Sequence, residues 1–172
     1  AILKQENVGA FTAVGFSSGA TTALYLAALA RDRVQKIVAL GGAIDTMSYR
    51  KESLEELRRL TGADYEKMAP GFIAERKKLM GEPDAFYKLV DNMKHAWLQP
   101  EYLTASQLGS VKCPVLIIGG DQDEYMDAAA FRRVQSLIPG SQLSIVPGCN
   151  HVGLITDAAI FRDRVFPFLA LK

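Results

Sequence analysis

The chain has 172 residues, of which 49% are hydrophobic and 23% are charged. These values are typical of a globular domain and unlike those of a disordered chain, and a domain of this length buries roughly 70% of its unfolded surface. The net charge is only +1, so there is no general positive field to attract nucleic acid or an anionic membrane. We therefore expect neither as a partner.

Apolar stretches are all shorter than the roughly 20 residues of a membrane span, and no charged segment leads into an apolar signal. These features favour a cytoplasmic protein. The two cysteines, Cys113 and Cys149, have no metal-ligand spacing, and we expect both to be reduced. With only two histidines as well, neither a metal site nor a cofactor is expected.

The first predicted strand covers residues 10–16 and leads directly into Ser17. Residues 18–30 are rich in Ala and Leu, which predicts a mostly buried helix. The local order is therefore strand, sharp turn and helix.

Further apolar runs at residues 36–40 and 115–118 predict strands that are buried on both faces. Residues 142–146 alternate polar and apolar side chains, which favours a strand at the sheet edge. Helical periodicity covers residues 128–137 and 158–169. Strands that alternate with helices predict a parallel sheet with both faces covered.

Residues 45–110 contain no strand signal, and an insertion of this length is too long for one crossover helix. Amphipathic patterns predict helices at residues 53–60, 65–80 and 83–97. We interpret this segment as a helical cap.

The first catalytic motif is Gly15-Phe16-Ser17-Ser18-Gly19, a G-x-S-x-G sequence between a predicted strand and a predicted helix. Such a turn strains the serine backbone, and small glycine neighbours let strand and helix approach. The Ser18 amide at the helix start is placed to stabilise an oxyanion. The alternative is a turn that serves only as a helix cap.

A serine hydroxyl needs a base, and His151 lies in a loop after the fourth predicted strand. The imidazole in turn needs a carboxylate, for which Asp121 and Asp123 after the third strand compete. Serine, aspartate and histidine would then all lie at the carboxyl edge of the sheet, in chain order. This joint pattern predicts a nucleophilic triad.

The segments GFSSGA, VLIIGGDQDE and PGCNH resemble the nucleophile elbow, acid loop and histidine loop of the α/β-hydrolase family. The resemblance implies an α/β fold: the carboxyl-terminal portion of an α/β-hydrolase sheet, about four parallel strands flanked by helices, with a helical cap insertion. It assigns the acid to Asp123 and the catalytic triad to Ser17, Asp123 and His151. We expect one domain overall, in three parts: the nucleophile-elbow part of the core (1–44), the helical cap (45–110), and the acid and histidine part of the core (111–172).

Family members usually have several strands before the elbow, with a loop that donates the second oxyanion amide, whereas this chain begins about ten residues before the elbow strand. We therefore expect a fragment of a longer protein, or an open strand edge that pairs with another copy. Losing one oxyanion donor typically lowers turnover about 10²- to 10³-fold.

Phe16, Trp97 and Val152 are the candidate substrate-binding residues. Trp97 ends a predicted cap helix that also carries Phe86, Tyr87, Met93 and His95, and packing of the cap on the body is the alternative role for each of these residues. Cys149 lies two residues before His151, and we expect a small buried thiol rather than a nucleophile.

The predicted function is hydrolysis of carboxylic esters, thioesters or lactones through an acyl-enzyme, with a small molecule as substrate. The family also includes enzymes of carbon–carbon bond hydrolysis. Two other classes remain open: a half-domain that is catalytically weak or inactive and pairs through its open edge, and a binding module with an inert triad.

Overall fold

A computed structural model describes residues 2–82 and 84–170 of the chain. Its centre is one sheet of four parallel strands in the order in which they occur along the chain. The strands are β1 (Phe11–Phe16), β2 (Val34–Leu40), β3 (Val115–Gly120) and β4 (Gln142–Val146). The predicted parallel α/β sheet is confirmed, and β4 lies at an edge as expected.

The register places the carboxyl ends of the strands side by side. Phe16 pairs with Leu40, Leu40 with Ile118, and Gly120 with Val146. The loops that follow the strands therefore meet at one edge of the sheet, where open α/β sheets bind their ligands.

Helices cover the sheet and fill the long interval between β2 and β3. They are α1 (Ile2–Gln5), α2 (Ser18–Leu29), α3 (Lys51–Arg59), α4 (Gly62–Met68), α5 (Pro70–Lys78), α6 (Ala85–Trp97), α7 (Ala105–Gly109), α8 (Ala128–Leu137), α9 (Gly153–Thr156) and a last helix, α10, over residues 158–169. A short 3₁₀ turn spans Thr46–Ser48, and Phe161–Val165 forms a π-helical turn within α10.

The central strands bury alternate side chains in two different clusters. Ile37 and Ile117 pack on one face against α2, α7 and α8, which contribute side chains such as Leu24 and Phe131. Val38 and Ile118 pack on the opposite face against α9 and α10. Burial on both faces explains why these strands are continuous apolar runs in the sequence.

One predicted helix of the 45–110 segment is wrong. Residues 65–80 form two helices rather than one, because Ala69 leaves the helical conformation and α5 begins at Pro70. Proline disfavours a helical conformation in the residue before it and is well accommodated in the first turn of a new helix. The helix predicted at 53–60 begins two residues earlier, at Lys51. The predicted start at Pro83 lies outside the described residues.

A partly buried ion pair fastens the loop after β2 to α8. The Asp45 side chain is 4% exposed, and it accepts hydrogen bonds from Arg133 Nη1 at 3.0 Å and from Nη2 at 2.5 Å. Asp45 Oδ1 also accepts the Ser48 amide and hydroxyl, both at 2.9 Å. Burial by itself raises the pKa of Asp45, but the hydrogen bonds from Arg133 and Ser48 outweigh it and lower that pKa below its usual value.

We expect Asp45→Asn to lower the free energy of unfolding at neutral pH by about 2 kcal/mol, less than for a fully buried pair because the Arg133 side chain is 38% exposed. Because the folded-state pKa is lowered, the carboxylate's contribution is complete above the unfolded pKa of about 4 and is lost as pH falls through the lower folded value. The free energies of unfolding of the parent and the variant, measured by urea titration at several pH values, should therefore converge at low pH. The control is Asp91→Asn, at an exposed position of α6. An equal loss in both variants at neutral pH contradicts a specific role of the pair.

None of the helices in the described ranges is both long and apolar enough to cross a membrane. Among the same residues, no group of three or more His, Cys, Asp or Glu side chains is arranged to hold a metal ion.

Candidate active site

Ser17 occupies the turn between β1 and α2. Its backbone has φ 53° and ψ −124°, a left-handed φ that a residue with a side chain rarely adopts. The Ser17 amide donates to Leu40 O at 2.8 Å, and the Ser17 carbonyl accepts the amides of Ala20 and Thr21. These bonds hold the strained turn at the end of the sheet.

The structure distinguishes the two glycines of the motif. A Cβ on Gly15 would lie 2.1 Å from the carbonyl oxygen of Gly19, so β1 and α2 touch through their backbones. A Cβ on Gly19 would meet no atom within 4 Å. The expectation that both glycines are needed to avoid a Cβ clash is therefore correct for Gly15 and wrong for Gly19, whose backbone forms the contact but whose added Cβ would lie in open space.

Ser18 begins α2, and the first amides of a helix have no acceptor within the helix. Its amide therefore lies at the positively polarised start of the helix, directly after Ser17. The Ser18 hydroxyl accepts a hydrogen bond from Trp97 Nε1 at 2.7 Å. Trp97 therefore ties the end of α6 to the residue after Ser17.

Asp123 and His151 form a buried pair. His151 Nδ1 and Asp123 Oδ2 are 2.8 Å apart, and the residues are 7% and 1% exposed. The other carboxylate oxygen of Asp123 accepts the amides of Tyr125 at 2.9 Å and Met126 at 3.1 Å. With both oxygens engaged, the carboxylate has a single orientation and fixes the imidazole.

Asp121 has a different partner from Asp123. Its Oδ1 accepts the amide of Gly148 at 2.6 Å, within the loop that carries His151. Glu124 Oε2 also accepts the His151 amide, at 2.8 Å. The side chains of Asp121 and Glu124 fasten the acid loop to the histidine loop, and of the three acidic side chains Asp123 is the one bonded to the imidazole ring.

Packing fixes the plane of the imidazole. Phe16 and Tyr125 lie with ring centroids 4.8 and 4.9 Å from that of His151. Gly41, after β2, has φ 62°, and a Cβ there would lie 2.9 Å from His151 Cε1. Only glycine satisfies both conditions at this position.

The start of α3 fastens the other side of the acid loop. Arg50 Nε donates to Asp123 O at 3.1 Å, the Arg50 amide donates to Tyr125 O at 2.8 Å, and Ser53 Oγ donates to Glu124 O at 2.6 Å. Sequence reasoning missed these contacts, because neither Arg50 nor Ser53 belongs to a motif and their partners lie about seventy residues away.

A cavity of about 410 Å³ opens above these loops. Ser17, Ser18 and His151 line it, as do the three candidate substrate-binding residues Phe16, Trp97 and Val152. The remaining lining residues are Thr21, Gly41, Ala43, Tyr49, Glu56, Leu57, Leu60, Tyr65, Met68, Glu124, Tyr125 and Met126. Within the described residues, no hydrogen bond joins Ser17 to His151, and such bonds often tighten only when substrate binds.

Phe86 and Cys149 do not line the cavity. Phe86 is buried in a separate cluster with Ile73 and Val90, so its role is packing within the helical segment. Cys149 is buried, and burial, reinforced by nearby carboxylates, raises the pKa of its thiol. A neutral thiol is a poor nucleophile.

Comparison with known proteins bears on this arrangement. The sequence model described as "Alpha/beta hydrolase family" matches residues 2–164. Carboxylesterase YbfK of Bacillus subtilis is 25% identical over an alignment of 182 positions that covers 95% of this chain and 60% of the esterase. A 2-hydroxy-6-oxononadienedioate/2-hydroxy-6-oxononatrienedioate hydrolase of Klebsiella pneumoniae is 26% identical over an alignment of 166 positions that covers 81% of this chain and 55% of the relative.

Solved structures show the same fold. The carboxylesterase CesB (YbfK) from Bacillus subtilis has a TM-score of 0.72 at 21% identity and matches 98% of this chain and 62% of its own length. A meta-cleavage product hydrolase from Pseudomonas fluorescens (CumD) has a TM-score of 0.74 at 20% identity, with 98% and 68% covered. The chain spans 60% of the YbfK sequence and 55% of the Klebsiella sequence, less than two thirds of each of these two curated relatives.

Proposed function

The chain belongs to the alpha/beta hydrolase family, and from that premise we propose that it is a serine hydrolase of carboxylic ester-like bonds in small molecules. Esters, thioesters and lactones are the proposed substrates. The observation that carries the proposal is the buried contact of Asp123 Oδ2 with His151 Nδ1 at 2.8 Å, in a cavity that Ser17 also lines.

In the proposed mechanism, Ser17 Oγ attacks the substrate carbonyl carbon while its proton passes to His151 Nε2. The Ser18 amide donates to the oxyanion of the tetrahedral intermediate. Collapse expels the alcohol or thiol, which takes the proton from His151 and leaves an acyl group on Ser17. Water then repeats the sequence, so that the carboxylic acid leaves and Ser17 regains its proton. Asp123 holds the Nδ1 proton throughout and stabilises the imidazolium.

We expect a fluorophosphonate to label the purified chain stoichiometrically at Ser17, because only an activated serine reacts readily with such a probe. Peptide mass spectrometry with fragmentation locates the adduct and distinguishes Ser17 from Ser18. Ser17→Ala should abolish labelling, whereas Ser18→Ala retains the amide and should still be labelled. Absence of labelling in folded protein would contradict the proposal and favour a binding module with an inert triad.

A second candidate function is pairing with another polypeptide through the free edge of β1. It is favoured by the position of β1, an outer strand whose sheet partner is β2 and whose Val14 is 46% exposed. An open strand edge is a template for further pairing. Sedimentation of the purified chain at several concentrations tests this function, and a monomer throughout would exclude pairing with a second copy.

A further inference from the structure

The charged side chains that line the cavity are all acidic. Glu56 of α3 and Glu124 of the acid loop are both exposed there, and no lysine or arginine is among the lining residues of the described chain. Apart from His151 and a few hydroxyl groups, the rest of the lining is apolar or aromatic. The cavity wall therefore combines apolar surface with negative charge.

Two cations, Arg50 and Lys94, donate hydrogen bonds to backbone carbonyls rather than to Glu56 or Glu124. Arg50 Nε donates to the backbone carbonyl of Asp123 at 3.1 Å, and Lys94 Nζ donates to that of Leu60 at 3.1 Å. Neither side chain lines the cavity. The nearby pair of Asp45 and Arg133 is self-compensating. No lining cation therefore offsets Glu56 and Glu124.

Tyr125, which also lines the cavity, is a second indicator of the local charge. Burial raises the pKa of its phenol, and Tyr65 and the carboxylates Glu124, Glu56 and Asp123 raise it further. The carboxylates of α3 and of the acid loop thus both raise the negative potential at Tyr125. The ring centroids of Tyr125 and His151 are 4.9 Å apart, so this potential lies beside the imidazole. A negative charge on a bound substrate would be opposed in the same way.

We propose that the cavity selects neutral, largely apolar esters and rejects substrates that carry a free carboxylate, with Glu56 and Glu124 as the residues that set this preference. The inference rests on the ester hydrolysis proposed above and narrows its substrate class. It separates this chain from the Klebsiella relative, whose name specifies dienedioates, compounds with two carboxylates. The same charges favour departure of the carboxylate product.

The test compares two p-nitrophenyl esters of the same length: the half-ester of suberic acid, and the same molecule with its free carboxylate replaced by a carboxamide. The two differ in charge and hardly in shape. We expect kcat/KM for the carboxamide to exceed that for the carboxylate about tenfold at low ionic strength, from two exposed carboxylates that each contribute a few-fold. The ratio should shrink in salt, because the carboxylates are accessible to counterions.

Glu56→Gln should lower the ratio about threefold, and Glu56→Lys should lower it further. Glu55→Gln is the matched control: it makes the same change one position earlier on α3, on a side chain that does not line the cavity, and should leave the ratio unchanged. Equal rates for the two esters, a preference for the carboxylate, or equal effects of Glu55→Gln and Glu56→Gln would overturn the inference while leaving ester hydrolysis intact. Turnover of neither ester, together with no labelling of Ser17, would overturn the proposed function itself.

Discussion

Asp123→Asn is expected to lower kcat for ester hydrolysis about 10⁴-fold with little change in fold, as loss of the tautomer-fixing carboxylate does in serine hydrolases. The amides of Tyr125 and Met126 require an acceptor at one side-chain position, which orients the new amide oxygen towards them. Its NH₂ group then faces His151 Nδ1 across the 2.8 Å contact. The ring must accept at Nδ1 and carry its proton on Nε2, where it cannot take the proton of Ser17.

Asp121→Asn is the matched control for this change. An asparagine carbonyl still accepts the Gly148 amide, so kcat should stay within about threefold of the parent. Steady-state kinetics with a neutral p-nitrophenyl ester measures both variants, and circular dichroism checks that both are folded. If Asp121→Asn showed the large loss and Asp123→Asn the small one, the acid would be assigned to the wrong residue.

Gly15→Ala is expected to lower the free energy of unfolding by about 3 kcal/mol and to abolish detectable turnover. The added methyl would lie 2.1 Å from the Gly19 carbonyl oxygen and 2.4 Å from its carbon, both of them backbone atoms that cannot rotate away. β1 and α2 must therefore separate, which moves Ser17 and the Ser18 amide together. The loss of activity should exceed what partial unfolding alone explains.

Gly19→Ala changes the other glycine of the motif by the same methyl group. No atom lies within 4 Å of the added Cβ, and alanine favours a helix by up to about 1 kcal/mol over glycine. We expect unchanged or slightly higher stability and retained labelling of Ser17. Urea denaturation and fluorophosphonate labelling, measured on both variants, test the contrast. Equal destabilisation by both substitutions would contradict the described contact of β1 with α2.

The order of elements was predictable because strands buried on both faces leave continuous apolar runs. The runs at residues 36–40 and 115–118 lie within β2 and β3, and the alternating run at 142–146 is β4. The helical segment was less predictable. Its amphipathic pattern continues through Pro70, and the local effect of that proline on Ala69 decides where one helix ends and the next begins. The division of the chain at residues 45 and 110 into cap and core stays a prediction.

The supporting contacts of the site were not predictable. The bonds from Arg50 and Ser53 to the acid loop, and from Trp97 to Ser18, join residues 71 to 79 positions apart. No spacing in the sequence marks such pairs, since they depend on how α3 and α6 lie over the loops. The role of Gly41 was partly predictable from the sequence. A glycine directly after a strand indicates a special backbone conformation, but it does not indicate that the missing side chain makes room for His151.

The sequence by itself determined the parallel α/β fold, because strand periodicity is a local pattern. The order of three short motifs also gave Ser17, His151 and two competing aspartates, Asp121 and Asp123, of which the family resemblance favoured Asp123. Tertiary structure alone decided which aspartate contacts the imidazole, which motif glycine is sterically required and which charges line the cavity. Each of these depends on distances between segments far apart in the chain. Such distances are set by the packing of helices on the sheet, which no local pattern encodes.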